Sequence, residues 1–346
     1  MSQPASSSKT AVVLFNLGGP DSPQAVQPFL FNLFNDPAII RLPNPFRWLV
    51  AKLISTRRAP VAAEIYGKMG GRSPILPQTE AQAAALQTAL GDHHRVFIAM
   101  RYWHPFAQET ARAVKAWGAE RVVLLPLYPQ FSTTTTASSF TDWQRAAQAA
   151  GLAVPTAAIG CYADEPGFVA AQAALLRDRL PEAETKGPVR ILFSAHGLPK
   201  KIVTDGDPYQ MQVERSVAAI LQQLNRPDLD SRICFQSRVG PLEWIGPATD
   251  AEITQAAKDG CSIVVVPVAF VSEHSETLVE LDIEYAELAH HNGARGYSRV
   301  PTVGAQPAFI AGLAQMIHAA RFDAIPHCGF GPRPCGTAWR RCACTE

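Results

Sequence analysis

The stretch VVVPVAFVSEHSETLVELDIEY, residues 264–285, decides the fold, because an apolar run changes there into a row of acids with one histidine. Residues 264–271 are apolar and largely β-branched, which predicts a strand buried on both faces of a parallel sheet. Residues 276–285 predict a helix. Ligands of open α/β sheets bind beyond the carboxyl ends of the strands, so this strand-to-helix junction is a candidate site.

The predicted helix carries a row of carboxylates. In a regular helix Glu276, Glu280 and Glu284 lie on one face, just after His274. The residues expected to turn towards the core are Leu278, Leu281 and Tyr285. No lysine or arginine between residues 262 and 294 relieves the repulsion along this row. Oxygen donors beside an imidazole suit a divalent metal ion. The alternative is a solvated acidic face that stabilises the start of the helix.

Length and charge limit the class of protein. A chain of 346 residues predicts two α/β lobes, and a net charge of +1 argues against nucleic-acid binding as the main activity. Residues 1–10 are polar, lack the features of a secretory signal and are expected to be disordered. The longest uncharged apolar run, residues 261–271, is far shorter than a membrane span of ~20 residues. We therefore expect a cytoplasmic protein, which leaves open a peripheral contact with the cytoplasmic membrane.

The order of strands and loops repeats along the chain. Four predicted strands in the first half lie at residues 11–14, 95–100, 121–127 and 154–156. Their counterparts lie at residues 189–193, 232–235, 264–271 and 300–302. A helix closes each half, at residues 167–180 and 307–319. This repeat predicts a duplicated α/β lobe with a parallel four-stranded sheet in each copy, at residues 11–182 and 188–322, joined by a linker at residues 181–187.

The first half also contains an insertion. Between matching loops it is about forty residues longer than the second half, which places the insertion at about residues 31–74. The segment LPNPFRWLVAKLISTRRAP, residues 42–60, interleaves apolar and basic residues. An apolar face with basic flanks predicts a lip that dips into an anionic membrane surface. The alternative is a helix that packs on its own lobe with its basic residues solvated.

Several sequence blocks occur in one order that matches a known family. They are LGGP (residues 17–20), GGRSPI (70–75), RY (101–102), YPQFS (128–132), SAHGLP (194–199), QSRVGP (236–241), WIGP (244–247) and SEHSETL (272–278). Together they resemble the ferrochelatase family over about residues 11–317. So many blocks in one order make this resemblance specific.

The resemblance implies a fold, an activity and a site. The fold is α/β with two Rossmann-like, chelatase-like lobes and a porphyrin cleft between them. The activity is insertion of Fe²⁺ into protoporphyrin IX with release of two protons, the last step of haem biosynthesis, with no cofactor required for the chemistry. The implied metal-site pair is His196 and Glu276, supported by His274 and Glu280. The residues expected to line the porphyrin cleft are Leu17, Tyr66, Ser73, Arg101, Tyr102, Tyr128, Trp244 and Phe270. The insertion corresponds to the family's apolar lip.

The chemistry of metal insertion fits these residue types. A neutral imidazole takes a proton near pH 7, so we predict His196 as the general base. Carboxylates exchange iron-bound water and accept released protons, which predicts delivery of Fe²⁺ by Glu276 and a relay through Glu280 and Glu284. Arg101 or Arg238 is a candidate partner of a porphyrin propionate, with a structural ion pair as the alternative for either.

Four of the seven cysteines crowd the last nineteen residues. They are Cys328, Cys335, Cys342 and Cys344. Four thiolates suffice for a 2Fe–2S cluster or for zinc, although this spacing matches neither usual pattern. Some ferrochelatases carry such a cluster, and the animal enzymes take one ligand from mid-chain, where this sequence has Thr133. We predict a 2Fe–2S cluster held within the tail, residues 323–346, and the alternative is a disordered tail. The remaining cysteines, Cys161, Cys234 and Cys261, are expected in the core.

Other functions remain open at this stage. A related enzyme would insert metal into another tetrapyrrole, such as coproporphyrin III or a cobalt-accepting corrin precursor. A two-lobed carrier of tetrapyrrole or metal would bind without turnover. The expected partners are protoporphyrin IX, Fe²⁺ and the inner face of the membrane. The insertion could instead serve pairing of chains or contact with the preceding enzyme of the pathway.

Overall fold

The computed structural model describes residues 8–238, 240–323, 326–329, 335–336 and 338–344. The strands are β1 (Thr10–Asn16), β2 (His94–Met100), β3 (Arg121–Pro126), β4 (Thr156–Cys161), β5 (Val189–His196), β6 (Asp230–Gln236), β7 (Ser262–Pro267), β8 (Gly296–Arg299) and β9 (His327–Cys328). They form two parallel sheets, with the orders β2-β1-β3-β4-β9 and β6-β5-β7-β8. The prediction of two α/β lobes with parallel sheets is confirmed.

Helices cover the faces of both sheets. In the first half they are α1 (Val26–Phe34), α2 (Phe46–Gly67), α3 (Ile75–Leu90), α4 (Ala107–Ala116), α5 (Thr136–Ala150) and α6 (Pro166–Glu184). In the second half they are α7 (Lys200–Thr204), α8 (Tyr209–Leu224), α9 (Thr249–Lys258), α10 (Tyr285–His291) and α11 (Pro307–His318). A short 3-10 helix (Pro23–Ala25) precedes α1, and a π-helix (Glu276–Glu284) precedes α10.

The first four strands of each sheet are arranged in the same order, as a duplicated lobe requires. The prediction of four strands in the first sheet is wrong, because the tail returns and adds β9 parallel to β4, with Cys161 opposite Cys328. All six residues of β7 are buried, as expected of a strand covered on both faces. This strand ends at Pro267, so residues 268–271 belong to the loop that follows. Likewise β8 lies a few residues before the predicted 300–302.

Two helices cross between the halves. The predicted linker begins at Pro181, but this residue lies inside α6, which packs against α8 and β7 of the second lobe. Helix α6 begins at Pro166, and the Glu165 carboxylate accepts hydrogen bonds from the backbone N–H groups of the first turn, as an N-cap residue does. Helix α11 packs against both α6 and α3 of the first lobe. One apolar core therefore includes Leu14 of β1 and Val264 of β7.

The carboxyl ends of the two sheets face each other. The Asn16 amide at the end of β1 donates to the Ser272 hydroxyl after β7, at 3.3 Å. The Gln130 amide after β3 donates to the Val268 carbonyl, also at 3.3 Å. These contacts place the loops that follow the strands of both lobes against one another, where an open α/β protein binds its ligand.

The chain start and the insertion lie at the periphery. Residues 1–7 of the predicted disordered start lie outside the described residues, whereas Thr10 already belongs to β1 and the Lys9 backbone N–H donates to Glu120. The insertion forms α1 and α2, and α2 exposes several large apolar side chains. Among the residues described, no helix has the length and apolar composition needed to cross a membrane.

Candidate active site

His196 of the SAHGLP block and Glu276 of the SEHSETL block lie in contact. His196 is the last residue of β5, and Glu276 is the first residue of the π-helix that follows β7. His196 Nδ1 lies 2.8 Å from Glu276 Oε2, and the two side chains retain 39% and 25% of their exposure. Because β5 and β7 are neighbours in the sheet, their carboxyl ends bring together residues eighty positions apart. The pair is accessible to a ligand.

The two groups change each other's protonation. Burial alone would lower the pKa of His196, but the charge and hydrogen bond of Glu276, with a contribution from Glu280, raise it above its ordinary value. Burial alone would raise the pKa of Glu276, yet His196 and His274 hold it well below its usual range. The contact therefore favours the protonated imidazole and the ionised carboxylate. A metal ion that binds these atoms competes with a proton for them.

His274 lies behind Glu276. Its Nε2 is 3.7 Å from Glu276 Oε2, and its Nδ1 is 3.0 Å from the Ser272 carbonyl oxygen. The carbonyl can only accept, so Nδ1 carries a hydrogen and Nε2 faces the carboxylate. The ring packs 4.7 Å from the Phe270 ring, centroid to centroid, and little of it is exposed. His274 is thus placed to orient Glu276.

Glu280 is fixed by donors from neighbouring elements. Its carboxylate accepts hydrogen bonds from the Gln236 amide, from the Ser237 backbone N–H and hydroxyl, and from the Tyr285 hydroxyl. Burial and then the charge of Glu276 raise its pKa. The Gln236 amide also donates to the Glu276 backbone carbonyl at 3.0 Å. Gln236 and Ser237 thereby fix the start of the π-helix relative to β6.

The regular helix expected at residues 276–285 is wrong in its detail. The segment is a π-helix, in which hydrogen bonds span five residues and the faces shift relative to an α-helix. Leu281 is buried as expected, whereas Leu278 is only half-buried. Glu284 is exposed, and one of its oxygens lies 4.0 Å from Lys68 Nζ. The carboxylate row therefore extends from the site to the surface.

Four predicted porphyrin residues surround the pair. Tyr66 of the insertion contacts Ser275, next to Glu276, and burial raises its pKa to about 12. Trp244 packs against Gly197, where an added Cβ would lie 3.3 Å from the indole. Phe270 contacts His274, as described above. Leu17 is half-buried beside Tyr66 in the same apolar cluster. Aromatic and apolar groups of both lobes thus flank the His196–Glu276 pair.

The other predicted residues lie deeper. Ser73 is buried against Gly19, in the turn after β1. Tyr102 is 1% exposed and donates its hydroxyl to Asp36. Arg101 pairs with Asp36 at 2.8 Å, which is the structural ion pair that the sequence left open as an alternative. Burial raises the pKa of Tyr128, whose hydroxyl is enclosed. These four residues lie behind the aromatic and apolar groups that flank the pair. Their contact with porphyrin stays a prediction.

Five cysteines, here called the thiol group, form one buried cluster. They are Cys161, Cys328, Cys335, Cys342 and Cys344. The sulfurs of Cys161, Cys328 and Cys344 lie within 4.8 Å of one another. Cys161 lies in the core as predicted, and β9 pairs with β4 and brings the cysteines of the tail onto it. The tail is folded in its described residues, and this excludes the disordered alternative for them.

Sequence reasoning missed the supporting residues. Gln236 and Ser237 were visible as part of a motif, but nothing in one sequence assigns them to Glu280. Cys161 ends a strand in an apolar context, which is the ordinary position of a core thiol.

Two parallel α/β lobes face each other at their strand ends, and neighbouring strands of the second lobe place an imidazole beside a carboxylate there, as in a two-lobed metal chelatase. The family model of the ferrochelatases matches residues 9–321. The chain belongs to the ferrochelatase family. The predicted family and the prediction of a metal-inserting enzyme are thereby confirmed.

Individual relatives agree with this placement. The chain is 51% identical over 347 residues to the ferrochelatase of Caulobacter vibrioides (strain NA1000 / CB15N), covering 98% of each chain. It is 53% identical over 344 residues to the ferrochelatase of Phenylobacterium zucineum (strain HLK1), covering 97% of this chain and 98% of the relative. The sirohydrochlorin chelatase SirB of Bacillus subtilis subspecies spizizenii, in complex with cobalt, shares the fold with a TM-score of 0.51 at 12% identity, covering 88% and 92% of the two chains.

Proposed function

We propose that the protein inserts Fe²⁺ into protoporphyrin IX, the final step of haem biosynthesis, and that His196 and Glu276 are the residues that act on metal and porphyrin. The observation that carries the proposal is the 2.8 Å contact between these two accessible side chains, with aromatic groups of both lobes beside them. The chemistry asks for a base, a metal ligand and an apolar wall for a flat macrocycle, and the three lie together here.

The proposed reaction begins with an exchange of proton for metal. Fe²⁺ binds the Glu276 carboxylate and offsets the charge that favours the imidazolium, so His196 loses a proton to solvent and becomes a neutral base. His196 then accepts one pyrrole proton and returns to its starting form. Glu276 accepts the second pyrrole proton as the iron passes to the porphyrin nitrogens and releases it to solvent, so that one Fe²⁺ enters and two protons leave. His274 holds the Glu276 carboxylate in position throughout.

Aromatic groups supply the second requirement. The pyrrole N–H groups of a planar porphyrin point inward, so the ring must bend before metal enters. Tyr66 and Trp244 belong to different lobes, and both are held by surrounding contacts. Walls that fit the bent ring better than the flat one use binding energy to favour the transition state.

Replacement of His196 tests the base. We expect His196→Ala to lower the rate of haem formation from Fe²⁺ and protoporphyrin IX by a factor of ~100 or more, the usual loss for a general base. His290→Ala, an exposed histidine of α10, is the matched control and should retain the rate. Circular dichroism of both variants shows whether they fold. A well-folded His196→Ala protein at full rate would remove the base assignment.

The same assay separates the two alternatives. A carrier would bind protoporphyrin IX and release it unchanged, whereas the enzyme turns over many equivalents. A chelatase for coproporphyrin III would give a higher kcat/KM with that tetrapyrrole than with protoporphyrin IX. We expect protoporphyrin IX to be the better substrate, and the reverse preference would replace it as the assigned substrate.

The insertion is proposed to rest on an anionic membrane. Its exposed apolar residues on α2 are Phe46, Trp48, Leu49 and Leu53, each about half or more exposed. Arg57 and Arg58 follow on the same helix and are exposed too. Together they combine an apolar surface with positive charge, as peripheral membrane helices do.

Vesicle binding tests this surface. We expect the triple variant Trp48→Ser, Leu49→Ser, Leu53→Ser to lose most binding to phosphatidylglycerol vesicles, while Val61→Ser on the same helix retains it. Neutral vesicles should bind the unmodified protein weakly. Unchanged binding of the triple variant would contradict a membrane lip. If the surface serves pairing of chains or the preceding enzyme instead, the triple variant changes the molecular mass in solution without vesicles.

The thiol group is proposed to hold a 2Fe–2S cluster through four of its five sulfurs. The donor set fits, because thiolates are the ligands of such clusters and these sulfurs are buried together. Bound there, the cluster would cross-link the tail to the first lobe. Cys161 adds a fifth sulfur to the four predicted within residues 323–346.

Metal analysis tests the cluster. We expect anaerobically purified protein to contain iron and labile sulfide, and Cys161→Ala to lose a large part of both. Cys234→Ala removes a buried cysteine of β6 and should leave both unchanged. Protein that contains zinc, or neither metal nor sulfide, would contradict the proposal.

A further inference from the structure

Three separate parts of the chain converge on one carboxylate between α7 and α8. Asp205 lies 3.5 Å from Arg41 of the insertion, 3.3 Å from Lys201 of α7 and 3.7 Å from Arg341 of the tail. Burial acts to raise the pKa of Asp205, but the hydrogen bond of Lys201 and the charges of all three cations lower it. Asp205 thus connects the insertion, the second lobe and the tail through one side chain.

The tail also contacts the backbone at this point. The Arg341 N–H donates to the Gly206 carbonyl at 3.2 Å. Gly206 has φ +104, and a Cβ there would lie 3.2 Å from the Arg340 nitrogen, so only glycine permits this approach. Arg341 directly precedes Cys342, which belongs to the thiol group. The tail therefore contacts this loop through a backbone hydrogen bond as well as through the ion pair of Arg341 with Asp205.

The next residue connects the loop to the first lobe. Asp207 is fully buried, and its carboxylate accepts hydrogen bonds from the Ser132 hydroxyl, from the Thr133 backbone N–H and hydroxyl, and from the Tyr209 backbone N–H, at 2.7 to 3.1 Å. Thr133 is thereby used to join the lobes. The same carboxylate satisfies the first turn of α8, as a capping group does.

The loop is also linked to the site. The Tyr209 hydroxyl accepts a hydrogen bond from the His196 backbone, and burial followed by the charge of Glu276 raises its pKa. Only a short segment with the five-residue helix α7 separates His196 from Asp205. A displacement of the loop would therefore reach His196 along the chain and through Tyr209.

We infer that residues 205–207, here called the junction loop, couple the seating of the tail to the insertion and to the segment that carries His196. Asp205 and Arg341 are positioning residues in this scheme. When Arg341 is in place, the junction loop is held from both sides, and Arg41 fixes the base of the insertion beside it. When the segment around Arg341 is released, the insertion and residues 197–207 loosen together, while the strands of both sheets, β9 included, stay paired.

Hydrogen exchange of the full-length protein tests the coupling. We expect Arg341→Ala to speed amide exchange by a factor of about two to five in peptides covering residues 36–47 and 197–207, the effect of losing a partly exposed ion pair. Arg340→Ala is the matched control, because Arg340 is the exposed neighbour of Arg341 and the described residues give it no ion pair. Arg341→Lys should restore slow exchange, since it keeps the charge.

A second readout separates positioning from general stability. Arg341→Ala should raise the KM for porphyrin by a factor of about two to five with a nearly unchanged Tm, because the insertion is loosened and the core is not. Equal exchange in Arg341→Ala and Arg340→Ala would overturn the coupling, as would faster exchange spread over both sheets. The exchange measurement needs no turnover, so its failure is distinct from a failure of the proposed function.

Discussion

At the residue scale, the site combines two demands that oppose each other. His196 must accept protons, and the same contact with Glu276 that positions it also raises its pKa. The contact with Glu276 favours a proton on His196, so proton and metal compete for the same atoms. Acid should therefore inhibit at a higher pH than an isolated imidazole would cause.

The competition gives a pH prediction. A raised pKa in the folded state means that the His196–Glu276 pairing stabilises the protein below the ordinary imidazole pKa and that this stabilisation is lost as pH rises through the raised value. Insertion should follow the opposite trend, with kcat/KM falling as pH drops through that raised pKa. A rate profile from pH 5 to pH 9, combined with an NMR titration of His196, measures both.

Glu276→Gln provides the control for this titration. It removes the charge that raises the pKa of His196, so the titration should move towards lower pH. A His196 titration that is identical in both proteins would show that Glu276 does not set the basicity of the site.

At the element scale, the π-helix shows which part of a site one sequence cannot give. Spacing alone placed three carboxylates in a row, and Glu276 and Glu280 lie as that row requires. The helix type depends on Gln236 and Ser237, which hold the backbone and side chains of the π-helix from another strand. Contacts between elements leave no periodic pattern in either segment, so the detail was not predictable.

Gln236→Ala tests the role of this contact. The variant removes the Gln236 donor from the Glu276 carbonyl and one of the four donors from the Glu280 carboxylate, so we expect it to lower the free energy of unfolding by about 1–3 kcal/mol. The rate of insertion should fall as well, because Glu276 is no longer held. Urea titration and the haem assay measure the two effects. Gln255→Ala, on the exposed side of α9, should change neither. A stable, inactive Gln236→Ala protein would instead indicate direct contact with substrate.

At the scale of the whole molecule, buried amides lock the two lobes. Asn16 donates to Thr79 and to Ser272, and Gln82 donates to the carbonyls of Val271 and Gly304. These bonds join the end of β1 and helix α3 of the first lobe to loops of the second. The lobes are thus held together beside the site, which favours a rigid base below a more exposed insertion.

Gln82→Ala should weaken this lock. It removes one donor from each of the Val271 and Gly304 carbonyls and the acceptor of the buried Ser272 hydroxyl, and we expect the free energy of unfolding to fall by about 1–3 kcal/mol. Gln108→Ala, an exposed glutamine of α4, should be neutral. Chemical denaturation followed by tryptophan fluorescence compares the two. If Gln82→Ala unfolds like the unmodified protein, the lobes are held chiefly by their apolar core.

The two-lobed architecture was more predictable than the contacts by which the tail and α6 complete it. Buried β-branched runs such as that of β7 mark strands by themselves, and their repetition predicted two lobes with the same strand order. The two-residue strand β9 is too short to carry a pattern, so neither the fifth strand nor the place of Cys161 in the thiol group could be predicted. The packing of α6 on the second lobe could not be predicted for a similar reason, because an apolar helix face does not show which sheet it covers.

The exchange of α6 and α11 has a consequence for how this duplicated protein could be divided. A fragment that stops at Glu184 carries α6 without the surface that α6 covers, and it leaves α3 without α11. The complementary fragment has the reverse deficit. Each half produced alone would expose apolar helix faces to water and aggregate. The two halves produced together would reassemble. The two similar lobes therefore depend on each other for folding.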